Sequence, residues 1–124
     1  MKRLFVQLHG FSRELDRLIE NGKLLQEDFN DFENELMNDP QVGDVIPGLH
    51  GLRKTRIKSS TKGKRGGFRV DYLDIPEVEM LIFLVMYAKN EKDDLSSEEK
   101  KKIAKKVLQI KEEAKKRGYN GKNV

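Results

Sequence analysis

Between residues 51 and 72 the chain reads GLRKTRIKSSTKGKRGGFRVDY, with eight lysines and arginines against a single acid, Asp71. Lys54, Arg56 and Lys58 recur at every second position, the spacing that places side chains on one face of a strand. A glycine-rich loop with Lys62, Lys64 and Arg65 follows, and Arg69 stands just beyond it. Cations gathered in this way suit a polyanion. They also suit cleavage of RNA without a metal. That reaction needs a base for the 2′-OH proton, positive charge around the phosphorane and an acid for the departing 5′-oxygen. Lysine can be the base where nearby cations and burial favour its neutral form, as packing Lys54 among Arg56, Arg65 and Arg69 would. Arginine holds its proton, so its roles are charge stabilisation and phosphate clamping. Arg53, Lys58, Lys62 and Lys64 are further candidates for holding the RNA backbone. Tyr72 or Tyr87 can stack on a splayed base, and each can equally be a core residue. The plainer alternative for the whole stretch is a solvated edge hairpin whose lysines deter aggregation.

Those residues need a scaffold, and the pattern of the chain predicts one. Arg3 to Leu8 reads as a short strand. Ser12 is a candidate N-cap for a helix over residues 13–20, which Asn21-Gly22 stops. A second helix over 25–38 places Leu25, Phe29, Phe32 and Leu36 on one face, and Pro40 ends it. Residues 41–51 read as a turn-rich loop with one extended piece at 44–46. His50 lies in this loop, where it could titrate beside a phosphate, although a loop histidine with no evident partner is more often incidental. Leu52 to Lys58 and Phe68 to Leu73 read as strands joined by the basic hairpin. Asp74 to Glu77 forms a turn around Pro76. Met80 to Ala88 (MLIFLVMYA) is apolar on both alternating faces, as expected of a strand covered on both sides. Ser96 and Glu99 form a capping box for a last helix reaching about Arg117. Residues 118–124 read as a frayed tail, and 1–117 as one domain. The fold class expected is α+β: an antiparallel meander of the last three strands, two early helices on one face, and a C-terminal helix.

Composition narrows the function. With 36% hydrophobic and 37% charged residues, the chain reads as a globular protein with a heavily charged surface. No apolar run approaches the roughly 20 residues that span a bilayer. The absence of cysteine fits a reducing compartment, and with only two histidines, His9 and His50, a transition-metal site is not expected. No cofactor fingerprint is present: Gly63, Gly66 and Gly67 lack the Gly-Lys-Ser/Thr of a phosphate loop. The net charge of +4 conceals −5 over residues 1–50, +7 over 51–72 and +2 over 73–124. Such asymmetry steers an anionic partner toward one place.

The run DVIPGLHGLRKTRIKSSTKGKRGGFRVDY, followed by LVMYAKNEKDDLS, resembles the HigB-like branch of the RelE superfamily of bacterial toxins. The resemblance covers roughly residues 32–97. It implies a cytoplasmic ribonuclease of a type II toxin–antitoxin pair, an mRNA interferase that enters the 70S ribosomal A site, cuts translated mRNA without a metal or other cofactor and inhibits translation. It also implies a cognate antitoxin that neutralises the toxin, with operator DNA engaged only through that antitoxin. Carried onto this chain, Lys54 and Arg56 fall where the family places base and phosphate-binding groups. Arg65 and Arg69 flank the Gly-Gly turn and would stabilise the scissile phosphate. Lys89 and Lys92 fall where the family places further basic or acid groups. Some relatives have a histidine or tyrosine in that late position, and this chain has neither between Ala88 and Lys116, so the general acid is left open. Two other classes use comparable features: a non-catalytic nucleic-acid-binding module, and a gyrase poison of the ParE type, which shares the fold. The crowding of cations at 53–69 favours RNA cleavage. On this reading Arg69→Ala removes toxicity and leaves the fold intact.

Overall fold

The computed structural model describes residues 2–61, 67–88 and 95–122. Apolar alternation sets the interior of its sheet. Met80–Ala88 forms β5, and Gly67–Ile75 forms β4 beside it, antiparallel. Arg53–Lys58 forms β3 on the far side of β4, and the two-residue strand Asp44–Val45 forms β2 outside β3. Leu4–Gln7 forms β1, which lies against β5 in parallel. The five-stranded mixed sheet thus has the order β1-β5-β4-β3-β2. The meander expected from residues 52–88 is present. The parallel placement of β1 is an addition; α1 and α2 then carry the chain from that edge to β2 at the other.

Helices cover both faces. His9–Glu20 (α1) and Gln26–Asn38 (α2) pack on one face over Phe68, Val70, Tyr72, Leu81, Phe83, Met86 and Ala88. Ser97–Lys122 (α3) packs on the other, where Val107 and Ala114 meet Leu52, Leu73, Ile82 and Leu84. The first core centres on the ring of Phe83, whose centroid lies 4.9 Å from Phe11, 5.8 Å from Phe5 and Phe29, and 6.0 Å from Phe32.

Three local expectations change. Ser12 does not cap α1. The helix starts a turn earlier because burying Phe11 against Phe83 outweighs a cap, and the Ser12 hydroxyl donates to Gln7 Oε1 at 2.7 Å. The last helix does not end near Arg117 but stays helical to Lys122, so the tail expected from residue 118 is helical over most of its length. A glycine in an established helix costs only about 1 kcal/mol, less than starting a new one. The Ser96–Glu99 capping box is present as expected: Glu99 Oε1 accepts from Ser96 N–H at 2.8 Å and Ser96 Oγ from Glu99 N–H at 3.2 Å.

Tyr72 is the third change. It is fully buried in the α1/α2 core, not presented to a base. Its hydroxyl donates to Pro40 O at 2.8 Å and accepts from Gly43 N–H at 3.0 Å, tying the α2–β2 connection to the sheet. Gly43 is needed there: a Cβ would lie 2.8 Å from Lys54 O and 2.9 Å from the Tyr72 ring. Burial pushes the Tyr72 phenol above its ordinary value of 10.0. A raised folded-state value means that this group's contribution is complete below pH ~10 and is lost as pH rises through the folded value. Tyr72→Phe is expected to lower stability by about 1–3 kcal/mol at neutral pH, since it strands a buried N–H and C=O. It should also flatten the alkaline decline, as read from urea unfolding between pH 7 and 11.

Candidate nucleic-acid interface

The pleat sorts the basic stretch into two sets. Lys54, Arg56 and Lys58 point to the α3 side of the sheet, and cross-strand pairing sets them opposite Asp71, Arg69 and Gly67 of β4. Tyr87 of β5 lies directly across from Arg69. One face therefore gathers Lys54, Arg56, Lys58, Arg69, Asp71 and Tyr87. The apolar stripe of α3 covers the other part of that face, over Leu73, Ile75, Ile82 and Leu84, and leaves Arg56 and Lys58 exposed. Lys54 is half-buried among them.

Arg53 and Tyr72 belong to the opposite face. Arg53 Nη1 donates to Gly43 O at 2.7 Å and Gln41 O at 3.1 Å, so it braces the loop before β2. The expectation that both hold RNA gives way to a structural role, because a one-residue step along a strand changes its face. Tyr87 is 6% exposed and its ring centroid lies 5.7 Å from the Arg69 guanidinium carbon, a cation–π contact. It faces the site as a support for Arg69 more than as a platform for a base. Lys62, Lys64, Arg65, Lys89 and Lys92 lie outside the described residues.

Arg69 itself is not a surface cation. It is 8% exposed, and its Nε–H donates to the carboxylate of Asp71, which is fully buried, at 3.2 Å. Asp71 was visible in the sequence as the stretch's lone acid, and its spacing of two from Arg69 puts that pair on one strand face; the strand register adds Lys54 and Arg56 to the same face. The expected company of Lys54 is likewise mixed: Asp71 sits across β4 and Asp44 across β2, beside Arg56 and Arg69. Arg56 and Arg69 are direct cross-strand partners, an arrangement of like charge that weakens a sheet.

A β-bulge lies at this level. Asp71 pairs with Val85 and Tyr72 with Phe83, so β5 carries one extra residue, and Leu84 and Val85 both turn to the α3 face. Bulges locally increase twist and re-aim side chains, and they are common beside functional sites.

The end of β3 is anchored from the other side. Ser59 Oγ and Thr61 Oγ1 donate to Lys23 O at 2.6 and 3.1 Å, and Ser60 N–H and Oγ both donate to Asp28 Oδ2 at 3.2 Å. Asp28 also accepts from Leu25 N–H at 3.0 Å at the start of α2. These polar residues fix the chain where it leaves the sheet toward residues 62–66. Sequence reasoning missed them, although the Ser59-Ser60-Thr61 run gives a signal for such turn bonds. His50, exposed and left-handed with φ 56°, offers its carbonyl to the Lys111 ammonium of α3. Among the described residues, no three His, Asp or Glu side chains gather so as to hold a metal ion.

Fold and site together define a small α+β protein with a cationic sheet face suited to a polyanion. The family model described as the RelE toxin of the RelE / RelB toxin–antitoxin system matches residues 13–123. The chain belongs to that family, and membership makes it the toxin of a toxin–antitoxin pair, with an antitoxin as its partner. No helix among the described residues is long and apolar enough to cross a membrane.

Proposed function

We propose that this toxin is a ribosome-dependent, metal-independent endoribonuclease of the HigB-like branch, acting in the cytoplasm on mRNA in the ribosomal A site. One observation carries the reading: Arg56 and Arg69 stand directly across from each other on an otherwise well-packed sheet. Asp71 offsets the Arg69 charge from within β4, and with Arg56 opposite the three groups still carry a net positive charge. Like charges so placed oppose folding, and violations of local consistency concentrate at functional sites. A phosphate between the two would relieve the repulsion, and a phosphorane, carrying more negative charge, would relieve it further. That difference is what accelerates a reaction.

In this mechanism Arg56 and Arg69 bracket the scissile phosphate. Lys54, half-buried on the same face, can exchange a proton where the arginines cannot, and is the proposed base. Lys58, at the exit of β3, extends the backbone-binding surface toward Lys62, Lys64 and Arg65. On the resemblance, Arg65 would add charge at the phosphate, and Lys89 and Lys92 would be further basic or acid groups, with the identity of the general acid open. The exposed lysines of α3 (Lys101, Lys102, Lys105 and Lys106) are first of all a solvated helix face.

The test is cleavage of one transcript, free and on programmed ribosomes, by the purified toxin with chelator present, mapped by primer extension. The expected result is cutting within codons on ribosomes only. Cutting of free RNA at the same rate removes the ribosome requirement. Salt-sensitive binding without scission, or DNA breaks with intact mRNA, overturns the ribonuclease reading in favour of a binding module or a gyrase poison.

A further inference from the structure

We propose that Asp71 is a positioning residue of this site: its buried carboxylate fixes the plane of the Arg69 guanidinium against the phosphate. The inference rests on the ribonuclease reading and assigns a role within it.

The location of Asp71 makes a purely stabilising role a poor explanation. It is fully buried in β4, and Val70, Leu73 and Ile75 of the same strand are apolar. A buried ion pair seldom stabilises more than apolar residues of the same volume would, because both charges lose their hydration. A strand in this setting folds readily with a further apolar residue, so the carboxylate calls for another reason.

Geometry supplies one. Asp71 Oδ1 accepts from Arg69 Nε–H at 3.2 Å. A contact at Nε uses one of five guanidinium protons and sets the orientation of the planar group, with the terminal nitrogens at its far end. The Tyr87 ring stands against the same guanidinium from the neighbouring strand. Asp71 in turn faces Val85, beside the bulge that turns both Leu84 and Val85 to its side of the sheet. The carboxylate is thus confined by packing, and the arginine is confined by the carboxylate. Supported placement of this kind lets a cation meet a phosphorane without reorganising.

The test uses purified toxin and programmed ribosomes under single-turnover conditions. Asp71→Asn keeps the size and one acceptor and removes the charge. Its cleavage rate at saturating ribosomes is expected to fall by about 10–100-fold, the range for misplaced catalytic groups. The half-saturating ribosome concentration should stay within about 2-fold, since backbone contacts elsewhere carry binding. Repeating the substitution in an Arg69→Lys background separates positioning from general damage. Lysine has no plane to orient, so Asp71→Asn should there change the rate by less than about 3-fold. Asp71→Leu is expected to behave likewise. Both variants leave the Arg69 charge without its carboxylate and cost stability, so rates are compared at 15 °C per folded protein, with the folded fraction read from urea unfolding. Wild-type rates in Asp71→Asn or Asp71→Leu, or equal losses in both backgrounds, would overturn the positioning role. A wild-type protein that cuts no mRNA overturns the ribonuclease reading itself, and the role of Asp71 with it.

Discussion

Arg69→Ala is expected to abolish growth arrest and to destabilise the fold at the same time. On the proposed mechanism, the activity loss follows from removing one of the two charges that would bracket the phosphate. Loss of a single preorganised donor to a developing charge lowers rates by about 10²–10³, enough to silence a toxin expressed at modest level. The stability loss follows from Asp71. Its carboxylate is fully buried, and it pairs with Arg69 two residues earlier on β4. Removing one member of a buried pair costs about 3–5 kcal/mol, because the other charge is left in a low-dielectric setting. The expectation from sequence that the fold stays intact is therefore revised. Arg69→Ala/Asp71→Leu should recover most of the urea-unfolding midpoint and none of the toxicity. Arg56→Ala provides the contrast: Arg56 is exposed, so activity should fall while stability changes by no more than about 0.5 kcal/mol. Wild-type growth arrest by a folded, well-expressed Arg69→Ala protein would remove Arg69 from the mechanism. A midpoint unchanged in that variant would show that Asp71 does not depend on it.

Phe83→Ala is expected to be the most damaging core substitution, at about 3–5 kcal/mol. Phe83 is fully buried, and its ring meets those of Phe5, Phe11, Phe29 and Phe32, so one truncation opens a cavity between β1, α1 and α2. Each well-placed ring pair adds about 0.5–1.5 kcal/mol beyond burial. Its carbonyl also accepts from Leu8 N–H at 3.1 Å, at the junction of β1 with α1. Domains of this size have roughly 5–15 kcal/mol of stability in all, so the variant should lie near the limit of folding at 37 °C. The check is the urea midpoint at 15 °C with an unchanged slope. A loss below about 1.5 kcal/mol would show that the neighbouring rings close the gap. Since Phe83 faces away from Arg56 and Arg69, the folded fraction should keep whatever activity the wild-type toxin has.

The two residues illustrate what each level of description supplies. Phe83 was legible in sequence as part of an apolar strand, and so were the α2 stripe, the Ser96–Glu99 cap and the alternation of Lys54, Arg56 and Lys58. These features are local: a period of two or of 3.6, or a cap three residues from its partner, is written into neighbouring positions. The family resemblance rested on the same contiguous runs, and the match over residues 13–123 agrees with it at the level of the RelE family.

What the sequence by itself determined was therefore the elements, the α+β class and one basic strand face. Only the tertiary structure decided which residues meet on that face. The register of β3 against β4 sets Arg56 opposite Arg69 and brings Asp71 opposite Lys54, and the bulge in β5 aims Tyr87 and Val85 at them. The packing of Tyr72 with Pro40 and Gly43 and the Phe83 cluster, which starts α1 before Ser12, likewise join residues far apart in the chain. Register and bulges depend on the simultaneous packing of both sheet faces against three helices. That is a sum over contacts distant in the chain, and no window of neighbouring residues contains it.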